Sequence, residues 1–91
     1  MTPGEKLTML RMRKGFTQPE LCDEMNRKYR LDMNAKQYEK WERDINEYGW
    51  QYAKAFSKYY RCTIDELILE DKLPAQLVHK KLVKSAVRMR L

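Results

Sequence analysis

The sequence predicts an all-α fold, a compact bundle of about five short helices followed by a C-terminal amphipathic helix. Helix-start signals recur along the chain, and the apolar residues between them recur three and four positions apart, as on a helix with one buried face. No alternation of apolar and polar residues continues for more than a few positions, so no substantial sheet is expected. The length of 91 residues, with 43% hydrophobic and 35% charged residues, fits a single compact unit.

Four capping boxes predict where helices begin. In each box a side-chain oxygen and a Glu or Gln three residues later can satisfy free amide groups of the first turn. Pro3 and Pro19 fall in first turns, where a missing amide hydrogen costs little. The boxes are Thr2 with Glu5, Thr17 with Glu20, Asn34 with Gln37, and Thr63 with Glu66.

Apolar residues between these starts predict the buried helix faces. Gly15 is placed to end the first helix in a left-handed conformation, and Gly49 precedes the fourth helix. A short fifth helix with Ile64, Leu67 and Ile68 is expected to cover the bottom of the core. The predicted core residues are Leu7, Leu10, Leu21, Cys22, Met25, Tyr38, Trp41, Trp50, Ala53, Phe56 and Tyr60.

Positive charge is concentrated at the end of the chain. Residues 1–71 contain 13 basic and 13 acidic residues, whereas residues 72–91 contain six basic residues and no acid. In the segment 74–91, Val78, Leu82, Ala86 and Met89 fall on one side of a helix, and Lys80, Lys81, Lys84 and Arg88 on the other. We therefore expect a domain over 1–71 and a basic amphipathic helix or tail over 72–91. This tail could pack on its own domain, form a dimer seam, or order only on binding.

The composition argues against several classes of protein. No apolar run approaches the roughly 20 residues that span a bilayer, and the N-terminus lacks a signal-peptide layout, so a cytoplasmic protein with no membrane contact is expected. Cys22 and Cys62 are isolated and His79 is the only histidine, so we expect no metal site, cofactor or disulfide. Without a catalytic set or a glycine-rich phosphate loop, an enzyme is not expected.

Two segments, residues 16–22 (FTQPELC) and 33–43 (MNAKQYEKWER), carry the most specific pattern. Together with Lys14-Gly15 before them and residues 62–67 (CTIDEL) after them, they resemble the Xre or Cro/cI-like (lambda-repressor-like) helix-turn-helix family over about residues 5–70. The resemblance implies a sequence-specific regulator of transcription that binds double-stranded DNA. Because a single module of this size makes few base contacts, we expect a repressor that acts as a homodimer, with the tail helix or the fourth and fifth helices as its interface. The resemblance also implies that the helix at residues 34–43 enters the major groove.

The chain departs from this family pattern in two places. The stretch between Met25 and Asn34 is about six residues longer than the usual tight turn, which predicts a second helix that extends through Lys28 or Tyr29. The chain would then turn at residues 30–32. Asp44 and Arg61 stand where glycine is usual, so a strained backbone or a different turn is expected at each.

A helix beginning at Asn34 would expose Ala35, Lys36, Gln37 and Lys40 near its start, while Tyr38 and Trp41 would face the core. Lysine can donate to guanine, glutamine can pair with adenine, and alanine can touch a thymine methyl group. Gln18, at the amino end of the second helix, and Arg43, at the far end of the recognition helix, are placed to contact phosphates, and the family resemblance implies the same roles. The candidate DNA-binding residues are Gln18, Asn34, Ala35, Lys36, Gln37, Lys40 and Arg43.

Other interpretations remain open for single residues and for the whole chain. Gln37 could serve only its capping box, Gln18 could be an ordinary surface residue, and Glu39 could pair with Arg43. The zero net charge of residues 1–71 is compatible with a protein-interaction module, such as an antitoxin or a phage-encoded inhibitor with a protein partner. RNA binding would depend on the basic tail alone.

Overall fold

The computed structural model describes residues 1–77 and contains five α-helices with no strand in that range. This confirms the predicted all-α bundle. The predicted C-terminal helix falls mostly on residues 78–91, outside the described part, although residues 75–77 are helical. The helices are α1 (Pro3–Arg13), α2 (Gln18–Tyr29), α3 (Ala35–Glu42), α4 (Trp50–Tyr60) and α5 (Ile64–Ile68).

The helix starts follow the capping signals, with one exception in detail. Thr2, Thr17 and Thr63 each form a complete capping box. At α3 the Asn34 side chain accepts a hydrogen bond from the backbone N–H of Gln37 at 2.8 Å, but the Gln37 side chain does not bond back. The predicted box is therefore wrong in its second half, because Asn34 caps α3 alone.

Left-handed residues reverse the chain after several helices. Gly15 has a φ of 80° and follows α1, as predicted. Asp44 (φ 59°) and Arg61 (φ 54°) adopt the strained conformation expected where the family pattern has glycine, and Arg30 (φ 55°) does the same at the end of α2. Each costs about 1 kcal/mol or more relative to glycine, so the surrounding contacts must stabilise these turns.

All five helices contribute to one core with an aromatic centre. The Phe56 ring contacts the rings of Tyr38, Trp41 and Tyr48, with centroid distances of 6.2, 6.3 and 5.3 Å. Edge-to-face and tilted pairs at such distances stabilise a core beyond the area they bury. The core members without solvent exposure are Leu7, Leu21, Met25, Tyr38, Phe56 and Leu67.

The prediction that Trp50 lies in the core is wrong, because its side chain is 66% exposed. Trp50 is the first residue of α4, and helical side chains lean toward the N-terminus, so this one projects past the end of the bundle. The neighbouring core position is filled by Trp41, whose ring lies 4.8 Å from that of Tyr52 and 5.7 Å from that of Tyr48.

The long connection between α2 and α3 is ordered by hydrogen bonds and packing. The second helix ends at Tyr29, as expected. The Asn26 side chain accepts from the Met33 N–H at 2.7 Å and donates to the Met33 carbonyl at 2.8 Å. Met33 is buried, and the Tyr52 hydroxyl donates to Asp32 at 2.7 Å. The connection therefore holds the start of α3 in a defined place.

Residues beyond α5 remain in contact with the bundle up to the end of the described part. Pro74 is fully buried, and Leu77 packs against the core. The Gln76 side chain donates to the backbone carbonyl of Tyr60, the last residue of α4. The chain therefore approaches residue 78 from the C-terminal end of α4.

Candidate nucleic-acid interface

Helix α3 is fixed on the bundle by its inner face. Tyr38 is fully buried and Trp41 is 4% exposed, and their rings pack edge to face with centroids 6.1 Å apart. The helix contacts both α1 and α2. These contacts confirm that the two aromatic residues face inward, and they leave the opposite face of α3 to solvent.

Basic side chains occupy the outer face of α3. Lys36, Lys40 and Arg43 are exposed, and their spacing of four and three residues places them along one side of the helix. Ala35 and Gln37 are half-buried beside them. Neither lysine forms an ion pair within residues 1–77. Of the residues predicted to read bases, Lys36 and Lys40 are therefore exposed without ion pairs in this part of the chain, and Ala35 and Gln37 are partly accessible beside them.

The Glu42 side chain connects three helices behind this face. Arg11 donates to it from Nε at 2.7 Å and from Nη2 at 3.1 Å, and Gln18 donates from Nε2 at 3.0 Å. Burial by itself would raise the pKa of Glu42, but the hydrogen bonds from Arg11 and Gln18 help to outweigh burial, and the pKa is lowered. Glu42 is therefore ionised and holds α1, α2 and α3 together.

This network determines how Gln18 is presented. One amide hydrogen of Gln18 is used by Glu42, so the side chain is fixed in place at the first turn of α2. Its second N–H has no hydrogen-bond partner within residues 1–77, and it lies at a helix N-terminus, which favours anions. The geometry is compatible with the predicted phosphate contact. The sequence marked this position by its place at the amino end of α2 and by the family resemblance, but the bond to Glu42 was not predicted.

At the other end of α3, Nη1 of Arg43 lies 3.3 Å from Oε1 of Glu39, and both side chains are largely exposed. An exposed pair of this kind contributes less than about 1 kcal/mol, so Arg43 can leave Glu39 for a phosphate at little cost. The pairing itself was one of the alternatives that the sequence left open. Asn34 is also exposed, and its side-chain oxygen caps the helix.

Hydrogen bonds join Asp44, which lies just after α3, to the start of α1. Asp44 accepts from the Gly4 N–H at 2.8 Å and from the Thr2 hydroxyl. The left-handed conformation of Asp44 allows its carboxylate to reach back to the free amide groups of α1. The sequence marked Asp44 only as a replacement for glycine, because this partner lies 40 residues away.

A second group of basic residues lies where the C-terminal ends of α1, α2 and α4 meet. The Lys14 and Lys28 ammonium groups lie 4.5 and 5.5 Å from the centre of the Tyr59 ring. Arg13, Lys58 and Arg61 line the same shallow cleft. Cations at helix C-termini offset the helix dipoles, which gives this cluster a structural role without a ligand.

An apolar groove of about 660 Å³ lies between the α3–α4 connection, the start of α4, and α5. Its charged lining residues are Asp44 and Glu47, and no Lys or Arg within residues 1–77 lines it. Its large exposed apolar residues are Ile45 (54% exposed), Trp50 (66%), Ile68 (43%) and Leu69 (39%). No feature of the sequence marked this groove, because its walls come from separate parts of the chain.

The thiol and carboxylate side chains of residues 1–77 are dispersed over the fold. No group of three or more His, Cys, Asp or Glu residues in that range could hold a metal ion. Cys22 and Cys62 are both unpaired thiols, and burial raises the pKa of each to about 11. Among the helices described, none has the length and apolar character that crossing a bilayer requires.

Comparison with protein-family models, with curated proteins and with solved structures gave no match to this chain.

Proposed function

We propose that the protein is a sequence-specific DNA-binding transcriptional regulator of the helix-turn-helix class that the sequence resembles. The observation that carries this proposal is the division of α3 into two faces. Tyr38 and Trp41 anchor the inner face in the core, while Lys36 and Lys40 project from the outer face without ion pairs in residues 1–77. A rigidly mounted helix with exposed basic and amide groups near its start is suited to the major groove.

The early residues of α3 would read base edges. Lys36 and Lys40 would donate to guanine O6 and N7, and Gln37, whose side chain is not used in a cap, would pair with adenine. Ala35 would contact a thymine methyl group. In this arrangement Asn34 lies at the end of α3 nearest the floor of the DNA major groove, where its side-chain N–H groups remain free to donate. Each good polar pair is worth about 1–3 kcal/mol of discrimination between bases.

Phosphate contacts would position α3 from both sides. Gln18 would donate its remaining amide hydrogen from the N-terminus of α2, and Arg43 would exchange Glu39 for a phosphate at the far end of α3. Because Glu42 holds Gln18 in place, α2 and α3 would contact the duplex as one body. Because residues 1–71 carry no net charge, the bundle as a whole adds little long-range attraction to these specific contacts.

A single module of this size makes few base contacts, so we propose a homodimer that binds an inverted repeat and acts as a cytoplasmic repressor. Two half-sites about 34–36 Å apart, one helical turn of DNA, would present the major groove on one side of the duplex to both copies of α3. The two-fold symmetry of such a site would follow from the symmetry of the protein.

The proposal is tested by selecting binding sequences from a random duplex library with the purified protein at two salt concentrations. We expect enrichment of an inverted repeat, with a preference that persists at the higher salt concentration, since phosphate attraction is screened there. If no duplex is retained even at low salt, the proposal is wrong.

Substitutions separate base reading from phosphate contact. We expect Lys36→Ala to relax the base preference at one position of each half-site, whereas Gln18→Ala and Arg43→Ala should weaken binding to all duplexes similarly. Lys54→Ala removes one exposed positive charge from α4 and serves as the matched control. Equal effects of Lys36→Ala and Lys54→Ala would remove α3 as the reading element.

A protein-interaction module is the second candidate function, and the apolar groove favours it. Contiguous exposed apolar residues mark protein contacts more often than nucleic-acid contacts. In this case the groove would carry the main activity, and the library would yield no preferred sequence. Variants of Lys36 and Lys40 would then leave function in the cell unchanged, while Ile68→Asp would abolish it.

A further inference from the structure

The apolar groove leaves an unusual amount of large apolar surface uncovered. Seven large apolar side chains are exposed within residues 1–77, and four of them border this one groove. Single exposed apolar residues are ordinary, but a contiguous patch in a concave surface indicates a binding site. The groove therefore needs an occupant that is apolar on one side.

The end of the same chain has the matching chemistry. Residues 78–91, which lie outside the described structure, contain five Lys or Arg residues and no acid. Val78, Leu82, Ala86 and Met89 recur in this segment at helical spacing, so a helical projection places them on one stripe. The groove offers an apolar floor with Asp44 and Glu47 as its charged residues. The apolar surfaces are complementary, and because no Lys or Arg within residues 1–77 lines the groove, no like charge opposes a basic segment there.

We propose that the apolar groove of one molecule binds the segment 78–91 of a second copy of this chain. The second copy returns the contact with its own groove, so that two tails and two grooves close a two-fold dimer. The stripe from Val78 to Met89 covers Ile45, Trp50, Ile68 and Leu69, and the basic residues on the opposite side of the segment stay in solvent. This assembly does not depend on DNA binding.

The path of the chain favours a second copy over the molecule's own tail. Gln76 bonds to Tyr60 at the C-terminal end of α4, whereas the groove lies beside Trp50 at the N-terminal end. The ten-residue separation along α4 corresponds to about 15 Å, and a helical segment 78–91 would be about 21 Å long. A tail folding back on its own domain would use most of its length to reach Trp50. A tail from another molecule does not have this distance to cover, so its full stripe can lie along the groove.

Sedimentation equilibrium of the full chain and of four Asp variants tests the proposal. Leu82→Asp changes the stripe and Ile68→Asp changes the groove. Val87→Asp and Met12→Asp make the same kind of change away from both surfaces. We expect the parent chain and the two control variants to dimerise, and the stripe and groove variants to associate at least about tenfold more weakly. Circular dichroism checks that each variant retains the helical fold.

Mixing the two defective variants gives the sharpest test. A Leu82→Asp molecule keeps an intact groove, and an Ile68→Asp molecule keeps an intact tail, so a mixture can form one complete contact. We expect heterodimers in the mixture that neither variant forms with itself. No association on mixing, when the parent chain does dimerise, would overturn the exchange of tails.

Trp50 is the main reporter on occupancy of the groove, because it is 66% exposed, whereas Trp41, which also lines the groove, is 4% exposed and little accessible to a quencher. In the dimer we expect Trp50 emission to be protected from acrylamide quenching, and the protection to disappear on dilution and in Leu82→Asp. Protection that persists in a monomer would mean that each tail binds its own groove, which contradicts the proposal. A parent chain that stays monomeric with Trp50 fully quenchable would also overturn it. Because neither measurement uses DNA, the result stands apart from the DNA-selection experiment.

Discussion

Gly4 lies where the first turn of α1 passes the C-terminal end of α3. A Cβ added there would lie 2.3 Å from the carbonyl oxygen of Glu42 and 2.7 Å from that of Trp41. Both are backbone atoms, so neither can move aside like a flexible side chain. Although alanine normally favours a helix over glycine, we expect Gly4→Ala to lower the free energy of unfolding by about 1–3 kcal/mol, as measured by urea denaturation.

Gly49→Ala is the matched control for this substitution. A Cβ at Gly49 would meet nothing within 4 Å, and its φ of −75° is accessible to any residue. Its position at the N-cap of α4 limits the cost to less than about 1 kcal/mol. Equal stability of the two variants would show that α1 and α3 do not approach each other this closely.

Residues whose roles are local could be predicted from the sequence, whereas residues whose roles depend on distant neighbours could not. The caps at Thr2, Thr17 and Thr63 involve only the next three residues, and all three are confirmed. Lys6 is a basic residue, yet its side chain is fully buried, and its Nζ donates to the carbonyl of Leu69, 63 residues away, which compensates for the lost contact with water. Trp50 shows the reverse error: its spacing in the sequence places it on the apolar face of α4, but its side chain projects beyond the end of the bundle and is exposed.

At the scale of elements, the Glu42 network is the clearest link between helices. Removing its charge leaves Arg11, which is only 13% exposed, without an anionic partner, although its Nη1 still donates to the carbonyl of Phe16. We expect Glu42→Gln to destabilise the fold by about 3 kcal/mol, near the lower end for a broken buried pair. Glu39→Gln removes the same charge from the exposed pair with Arg43 and should cost less than about 1 kcal/mol. Similar effects of the two variants on thermal unfolding would contradict the assigned role of Glu42.

The Glu42–Arg11 pair also predicts how the stability of the fold changes with pH. Because the pKa of Glu42 is lower in the folded chain than the ordinary value of 4.5, the folded state binds fewer protons at this site than the unfolded state does. The stabilisation is therefore complete above that value and is lost as the pH falls through the lowered pKa. Between about pH 5 and pH 3, Glu42→Gln should accordingly lose less of its remaining stability than the parent chain.

Element boundaries followed from the sequence more readily than the contacts between elements. The extension of α2 to Tyr29 could be predicted because the connection is too long for a tight turn. The bonds from Asn26 to Met33 could not, because Asn26 is also an ordinary residue on the surface of a helix. Arg11 was not singled out for the same reason, as its partner Glu42 is 31 residues away.

At the scale of the whole molecule, two surfaces differ in how they are encoded. The outer face of α3 comes from one continuous helix, so its periodicity was enough to predict which residues are exposed. The apolar groove is assembled from Pro3, Ile45, Trp50 and Ile68, which meet only in the folded chain. The residues that line such a groove have no regular spacing in the sequence, and the composition of the chain gives no sign of it.

Charge is also a property of the whole molecule, since residues 1–77 carry 14 basic and 13 acidic residues and the last 14 residues carry five bases. In a helical projection, Lys80, Lys84 and Arg88 lie farthest from the stripe proposed to enter the groove. Changing these three residues to Gln should therefore leave both dimerisation and the selected DNA sequence unchanged. The logarithm of the DNA-binding constant falls linearly with the logarithm of the salt concentration. The substitutions should make this line less steep, by about 0.9 for each phosphate that the tail no longer neutralises.

The slope is measured by titrating a fixed duplex at several salt concentrations, with the protein held well above the concentration at which it dimerises. A change in the preferred bases would mean that the tail reads sequence, and would contradict the assignment of base reading to α3 alone. An unchanged slope would mean that the tail stays away from the duplex and that the phosphate contacts come from the bundle. The expected result, a smaller slope with the same base preference, assigns affinity to the tail and specificity to α3, because phosphate contacts add attraction without distinguishing bases.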